Sequence, residues 1–275
     1  MKNALSKMLI VFGASLLFIS IIGDFTSKGG YENDGPRTWE RFDESLANKT
    51  HSIDDLLSEA KRRQESWDTM SDEQKMISLY EIVTDRFTHN EGARHTVFTN
   101  WLLFSLGKIV TPLGIIWSPD VFVSKGYSLI CSQSSYLLMQ LALKSGIRAR
   151  HVGLNGHVVM EAWYDNDWHL FDPDAEVIPR DSTESVLSVE ELSRNIDLLK
   201  KEYPRIKGDY VNIITSREDN SFVSYPVGAY FEWKSQVLFY FEKIAQILKY
   251  LIPLLIVVFG AYLHFTPNNR KNFNS

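Results

Sequence analysis

Cysteine is almost absent from the 275 residues: Cys131 stands alone. That excludes an intrachain disulfide and any multi-thiolate metal site, since both need sulfurs in company. Strong net charge is missing too. Twenty-nine basic residues against 34 acidic ones leave a formal charge of −5, and no basic stripe gathers anywhere, so nucleic acid is not an expected partner. There is no internal repeat, which removes solenoid and propeller architectures. Recurrent metal spacings are lacking as well. Neither His169 with Asp172 nor His89 with His95 completes a ligand set, and Asp172-Pro-Asp174 and Asp181 read as solvated acidic turns. No metal and no cofactor are expected.

What is present is a spacing. Cys131 lies 26 positions before His157, which lies 15 before Asp172. A nucleophilic sulfur needs a base to ionise it, and the base needs a carboxylate or amide to hold its tautomer. A lone cysteine is most often a small buried hydrophobe, so the local setting must carry the argument. Gly126-Tyr-Ser-Leu-Ile130 leads into Cys131, and Ser132-Gln-Ser-Ser135 is rich in capping types. The run from Tyr136 to Lys144 is made of strong helix formers, with Gly146 as the stop. Cys131 therefore opens a helix, where unpaired N–H groups and the helix dipole favour thiolate and can receive an oxyanion.

Val158 to Tyr164 and Trp168 to Phe171 have strand composition, and Asp165-Asn166 between them suits a two-residue hairpin turn. Pairing Tyr164 with Asp167 sets Trp163 against Trp168, Glu161 against Leu170 and Val159 against Asp172. His157 and Asp172 then become diagonal neighbours on one face, roughly 7 Å apart at the backbone. A three-residue loop would send them to opposite faces.

These residues resemble the core of the transglutaminase-like superfamily. The likeness runs from about residue 125 to 177: Cys131-Ser-Gln-Ser-Ser-Tyr136, Leu141 to Arg150, Gly156-His157, Glu161-Ala-Trp163 and Trp168-His-Leu-Phe-Asp-Pro173, with a helix near 72–87 ahead of it. The resemblance implies an α+β, papain-like fold in which a helix bearing the cysteine packs on an antiparallel sheet bearing His and Asp. It implies Cys131 as nucleophile, His157 as general base and acid, and Asp172 as orienting carboxylate. Two departures are Ser132 beside the cysteine and the short spacing from Tyr164 to Trp168. For an oxyanion-binding side chain, Trp117, Tyr127 and Gln133 are the candidates.

The chain ends carry the second signal. Met8 to Gly23 and Tyr250 to Phe265 are uncharged runs of 16 residues each. The first is a signal peptide or an uncleaved anchor, and Ser20-Ile-Ile-Gly-Asp24, which lacks a small-x-small pattern, favours the anchor. The second is a buried core helix or a membrane span; its place beside Arg270-Lys271 and after aromatic Tyr230 to Trp233 favours a span. Lys and Arg beside both runs put both tails in the cytoplasm and the domain between them outside, periplasmic or extracytoplasmic on an inner membrane.

The expected layout is a cytoplasmic N-terminus at 1–7, an anchor at 8–23, a tether at 24–50 and a transglutaminase-like domain at 51–235. A juxtamembrane helix follows at 236–249, then a span at 250–266 and a basic tail at 267–275. Residues 95–117 are apolar enough for a third membrane segment, but Gly107-Lys108, Pro112 and Gly114 interrupt them, so a helix and loop packed beneath the cysteine is expected. Ser188-Val-Glu-Glu191 reads as a capping box opening a helix through about Lys201. Two functions are open. One is a membrane-anchored cysteine acyltransferase, amidohydrolase or peptidase acting on peptides or proteins at the cell surface. The other is a silent transglutaminase-like module that binds a partner or scaffolds an assembly.

Overall fold

The computed structural model describes residues 2–26, 36–89, 92–154, 156–203 and 227–266. The tether segment 27–35, the stretch 204–226 and the tail beyond 266 lie outside them. The chain divides into two compact units, one of Met1–Gly30, Arg94–Gly114 and Phe241–Ser275, the other of Tyr31–Ala93 and Ile115–Tyr240.

The larger unit mixes helix and sheet. It opens with α2 (Glu44–Lys49), α3 (Ile53–Arg62) and α4 (Asp72–Arg86), each started by a side-chain cap from Asp43, Ser52 and Ser71. Folded structure thus begins before residue 51, because Leu46 and Ala47 are buried and give α2 a core contact that a tether would lack. Next come β1 (Thr88–His89), α6 (Pro119–Lys125), β2 (Ser128–Leu129) and α7 (Cys131–Lys144). Strands β1 and β2 pair in parallel. Three antiparallel strands, β3 (Arg148–Gly153), β4 (Val158–Tyr164) and β5 (Asp167–Phe171), form the second sheet in that order. Helix α7 packs on α4 and on β3 and β4. Met76, Leu79, Val83 and Phe87 meet Leu137, Leu138, Leu141, Met160 and Phe171 in one apolar cluster. Burying each such side chain is worth about 1.5–3 kcal/mol.

A cation is built into this core. Arg86 is 2% exposed and donates to Thr50 Oγ1 at 2.8 Å, Val123 O at 2.8 Å and Gly126 O at 2.9 Å, joining the end of α4 to the segment that leads into the cysteine. The helix expected from Ser188 to about Lys201 is broken in two, α8 (Val189–Ser193) and α9 (Ile196–Glu202). Asn195 makes the break: its side chain accepts from Leu198 N at 3.1 Å and restarts the helix.

The smaller unit contains α1 (Lys2–Thr26) and the described end of α10 (Val227–Phe265), whose apolar portions are 24 and 30 residues long. Both are long and apolar enough to cross a membrane. Only 17% and 22% of their most apolar windows are buried, far too little for core helices. They run antiparallel along their length: Lys2 Nζ reaches Thr266 O at 2.8 Å, and Lys249 Nζ reaches Asp24 Oδ1 at 2.6 Å. Small buried residues line the seam at Ser6, Gly13 and Ser20, seven residues apart. Such spacing brings two backbones close.

Helix α5 (Val97–Gly107) falls in this smaller unit and packs along α1, whereas Ile115 to Trp117 fall in the unit of Cys131, so the stretch expected as one helix and loop beneath the cysteine divides between the two units. A Cβ on Gly107 would stand 2.4 Å from Gly114 Cα, so the chain doubles back tightly over the 3-10 turn Thr111–Gly114.

Candidate active site

Cys131 is the first residue of α7, with Ile130 in extended conformation at the N-cap. Helix geometry leaves first-turn amides without intrahelical partners, so the sulfur and those N–H groups share one end of the helix. Gln133 holds that end in place. Its Nε2 donates to Ala93 O at 2.9 Å and Ile116 O at 2.7 Å, while its Oε1 accepts from Ala93 N at 2.9 Å. A fully engaged amide cannot receive an oxyanion, which removes Gln133 from the candidates. Tyr127 donates its hydroxyl to Asn48 Oδ1 at 3.2 Å. Trp117 is buried in the same unit.

The hairpin has the register that its turn residues predicted. Tyr164 pairs with Asp167, Trp163 with Trp168 and Glu161 with Leu170. Asp165 and Asn166 take φ of 50° and 64°, the left-handed pair of a two-residue turn whose twist matches the strands. His157 precedes β4 and Asp172 follows β5, and the diagonal between them is closed by a buried contact of 2.9 Å from His157 Nε2 to Asp172 Oδ2. An ionised carboxylate can only accept, so Nε2 carries the proton and Nδ1 is left for Cys131, the ring's other neighbour.

Asp172 is the best-satisfied group in the site. Oδ2 also accepts from the Tyr203 hydroxyl at 3.2 Å, and Oδ1 accepts from the backbone N–H groups of Asp174 at 3.2 Å and Ala175 at 3.0 Å. Burial opposes its charge, but His157 and these donors win and hold the carboxyl below the usual range. For His157, burial again opposes charge; Asp172, with Cys131 contributing less, reverses the balance and holds the imidazole well above its ordinary value.

Two participants escaped the sequence reading. Tyr203 ends α9 and is buried, and no motif announces it. Asp174 was read as a solvated turn, yet burial pushes its carboxyl up, and ligand-capable atoms of Cys131, His157 and Asp174 lie within 4.8 Å of one another. The visible signal was Asp172-Pro-Asp174 itself, since a carboxylate that caps a turn two residues on brings the second acid to the same place.

Other residues singled out by sequence are structural. Glu161 is fully buried; its Oε2 accepts from Arg150 Nε at 2.7 Å and its Oε1 from Val189 N at 2.8 Å, tying the sheet to α8. His169 stacks on Tyr164 with ring centroids 3.8 Å apart and bonds Val186 O at 2.6 Å, away from any metal role with Asp172. His89 and His95 fall in different units. Compared with protein-family models, curated proteins and solved structures, the chain matches none.

Proposed function

We propose that this chain is a membrane-anchored thiol enzyme of the transglutaminase-like kind, with Cys131 attacking amide carbonyls of peptides or proteins. One observation carries the reading: the buried His157–Asp172 bond of 2.9 Å, set beside a cysteine that is the first residue of α7. In the proposed reaction the thiol proton passes to His157 Nδ1, and sulfur adds to the carbonyl. The oxyanion is met by first-turn amides of α7. The imidazolium returns the proton to the leaving amine, and the C–N bond breaks to leave a thioester. Water or a second amine then resolves it, with His157 taking the incoming proton. Asp172 stays ionised and steadies the imidazolium.

The papain-like assignment belongs to the same proposal and is supported by the order of a cysteine at a helix start, a histidine just before β4 and a carboxylate just after β5. So does the membrane placement. The antiparallel α1–α10 pair brings the residue-2 and residue-266 ends together, which suits both tails on the cytoplasmic side and a catalytic unit outside. The test is the rate of Cys131 alkylation by iodoacetamide against pH in the detergent-solubilised full chain. Fast reaction below pH 7 that falls at least tenfold in His157→Ala supports the enzyme; equal rates in both proteins would leave only a silent module.

A further inference from the structure

We infer that Cys131, His157 and Asp174 form a mononuclear Zn2+ site that covers the thiol, so that zinc regulates the proposed nucleophile. The ligand-capable atoms of all three lie within 4.8 Å of one another. Tetrahedral ligands at ordinary Zn–S, Zn–N and Zn–O bond lengths stand about 3.3–3.8 Å apart. Reaching that spacing calls for side-chain rotation, which falls to Cys131 and Asp174, the two half-buried ligands.

The donors suit zinc in kind. Thiolate and imidazole select a borderline-soft ion over calcium or magnesium, and three protein ligands leave a fourth position for water. The surroundings suit it as well. A metal-bound histidine normally donates its second ring nitrogen to a carboxylate, and His157 already does so from Nε2 to Asp172. The same Asp172 accepts from the backbone N–H of Asp174, so one carboxylate orients two of the three ligands. The Asp174 carboxylate accepts no hydrogen bond among the described residues, and a catalytic Cys–His–Asp arrangement has no use for a second acid beside the sulfur. On binding, the protons on the Cys131 thiol and on His157 Nδ1 are released to solvent, and the S–Zn and N–Zn bonds replace them.

The test uses metal-free full-length protein in detergent, titrated with Co2+ as a spectroscopic probe and then with Zn2+. The expected result is a cobalt–thiolate charge-transfer band saturating at one equivalent, displaced by Zn2+ and absent in Cys131→Ser. Zinc affinity should fall at least about tenfold in Asp174→Asn and in Asp174→Ser, both checked for wild-type circular dichroism. Absence of the band, or unchanged affinity in both Asp174 variants, overturns the site. The enzyme reading is tested separately, by His157-dependent alkylation of metal-free protein. Its failure with the cobalt band intact would leave a metal site without a nucleophile, whereas alkylation without the band would leave the reverse. Where both hold, one equivalent of Zn2+ should slow alkylation at least tenfold, and chelator should restore it.

Discussion

Tyr203 donates its hydroxyl to the same Asp172 oxygen that receives His157 Nε2, at 3.2 Å against 2.9 Å. All three side chains are buried, so neither bond has water to replace it. The tyrosine thereby links the last helix before residue 204 to the carboxylate that holds His157.

Tyr203→Phe removes one donor from a buried charge and leaves the ring. The expected cost is about 1.5–3 kcal/mol, the range for hydrogen bonds to charged groups, read by denaturant unfolding of the solubilised chain. The carboxyl of Asp172 should also become harder to ionise. Alkylation of Cys131 in this variant should therefore lose rate at acidic pH sooner than in wild type; coincident profiles would show that the tyrosine only packs.

How much of this was legible depended on whether the information was local. The hairpin register followed from Asp165-Asn166 and alternation, because a two-residue turn fixes which side chains face which. That places His157 and Asp172 on one face from local sequence alone. Tyr203 could not be found that way, since its partner is 31 residues distant and no periodicity relates them. Helix α5 was misplaced for a similar reason: an apolar run states that it must be buried, not against which surface. The close pass of Gly107 and Gly114 was visible only as two glycines.

The ion pair of Asp172 and His157 gives a pH window. Asp172 has its carboxyl held below 3.8, so its stabilisation is present above that value and is lost as pH falls through the folded value. His157 is held well above 6.5, so its share is present below 6.5 and is lost as pH rises through the raised value. In chelated protein the gap in melting temperature between wild type and Asp172→Asn should be widest between pH 3.8 and 6.5 and narrow on both sides. A gap independent of pH would mean that the pair is not charged in the folded state.

His151 works in the opposite sense. It is fully buried beside Tyr136, with ring centroids 5.4 Å apart, and burial lowers its pKa to about 3. Between pH 6.5 and about 3 the unfolded chain binds a proton that the folded chain refuses, so stability falls with acid by up to about 1.4 kcal/mol per pH unit. His151→Phe should flatten that slope in urea unfolding measured at pH 4 to 7. An unchanged slope would place the acid sensitivity in other groups.

Arg150 and Glu161 test the scaffold without touching the thiol. Arg150→Ala leaves a buried carboxylate with Val189 N as its one donor among the described residues, and removing one partner of a buried pair costs about 3–5 kcal/mol. Arg150→Ala with Glu161→Gln should recover part of that loss, because the stranded charge is gone. Failure of the double variant to recover would point to lost packing of the guanidinium, which lies 4.0 Å from the Trp168 ring centroid, as the larger effect.

The helix pair can be tested at Gly13, where an added Cβ would stand 2.7 Å from Pro253 O and 2.8 Å from Val257 Cγ2. Backbone cannot retreat from a side chain at that distance without parting the helices, so Gly13→Leu should cost at least about 1–3 kcal/mol of pairing. In a Cys131→Ser background, Ser6→Cys with His264→Cys reports the pairing as a disulfide, since Ser6 Oγ and His264 Nδ1 are 3.3 Å apart. The cross-link should form readily with Gly13 and fall several-fold with Gly13→Leu, while Phe12→Leu, at a position 54% exposed, should leave it unchanged. Equal cross-linking in all three would mean that the seam does not depend on small residues, and that contacts such as Lys249 with Asp24 hold the pair by themselves.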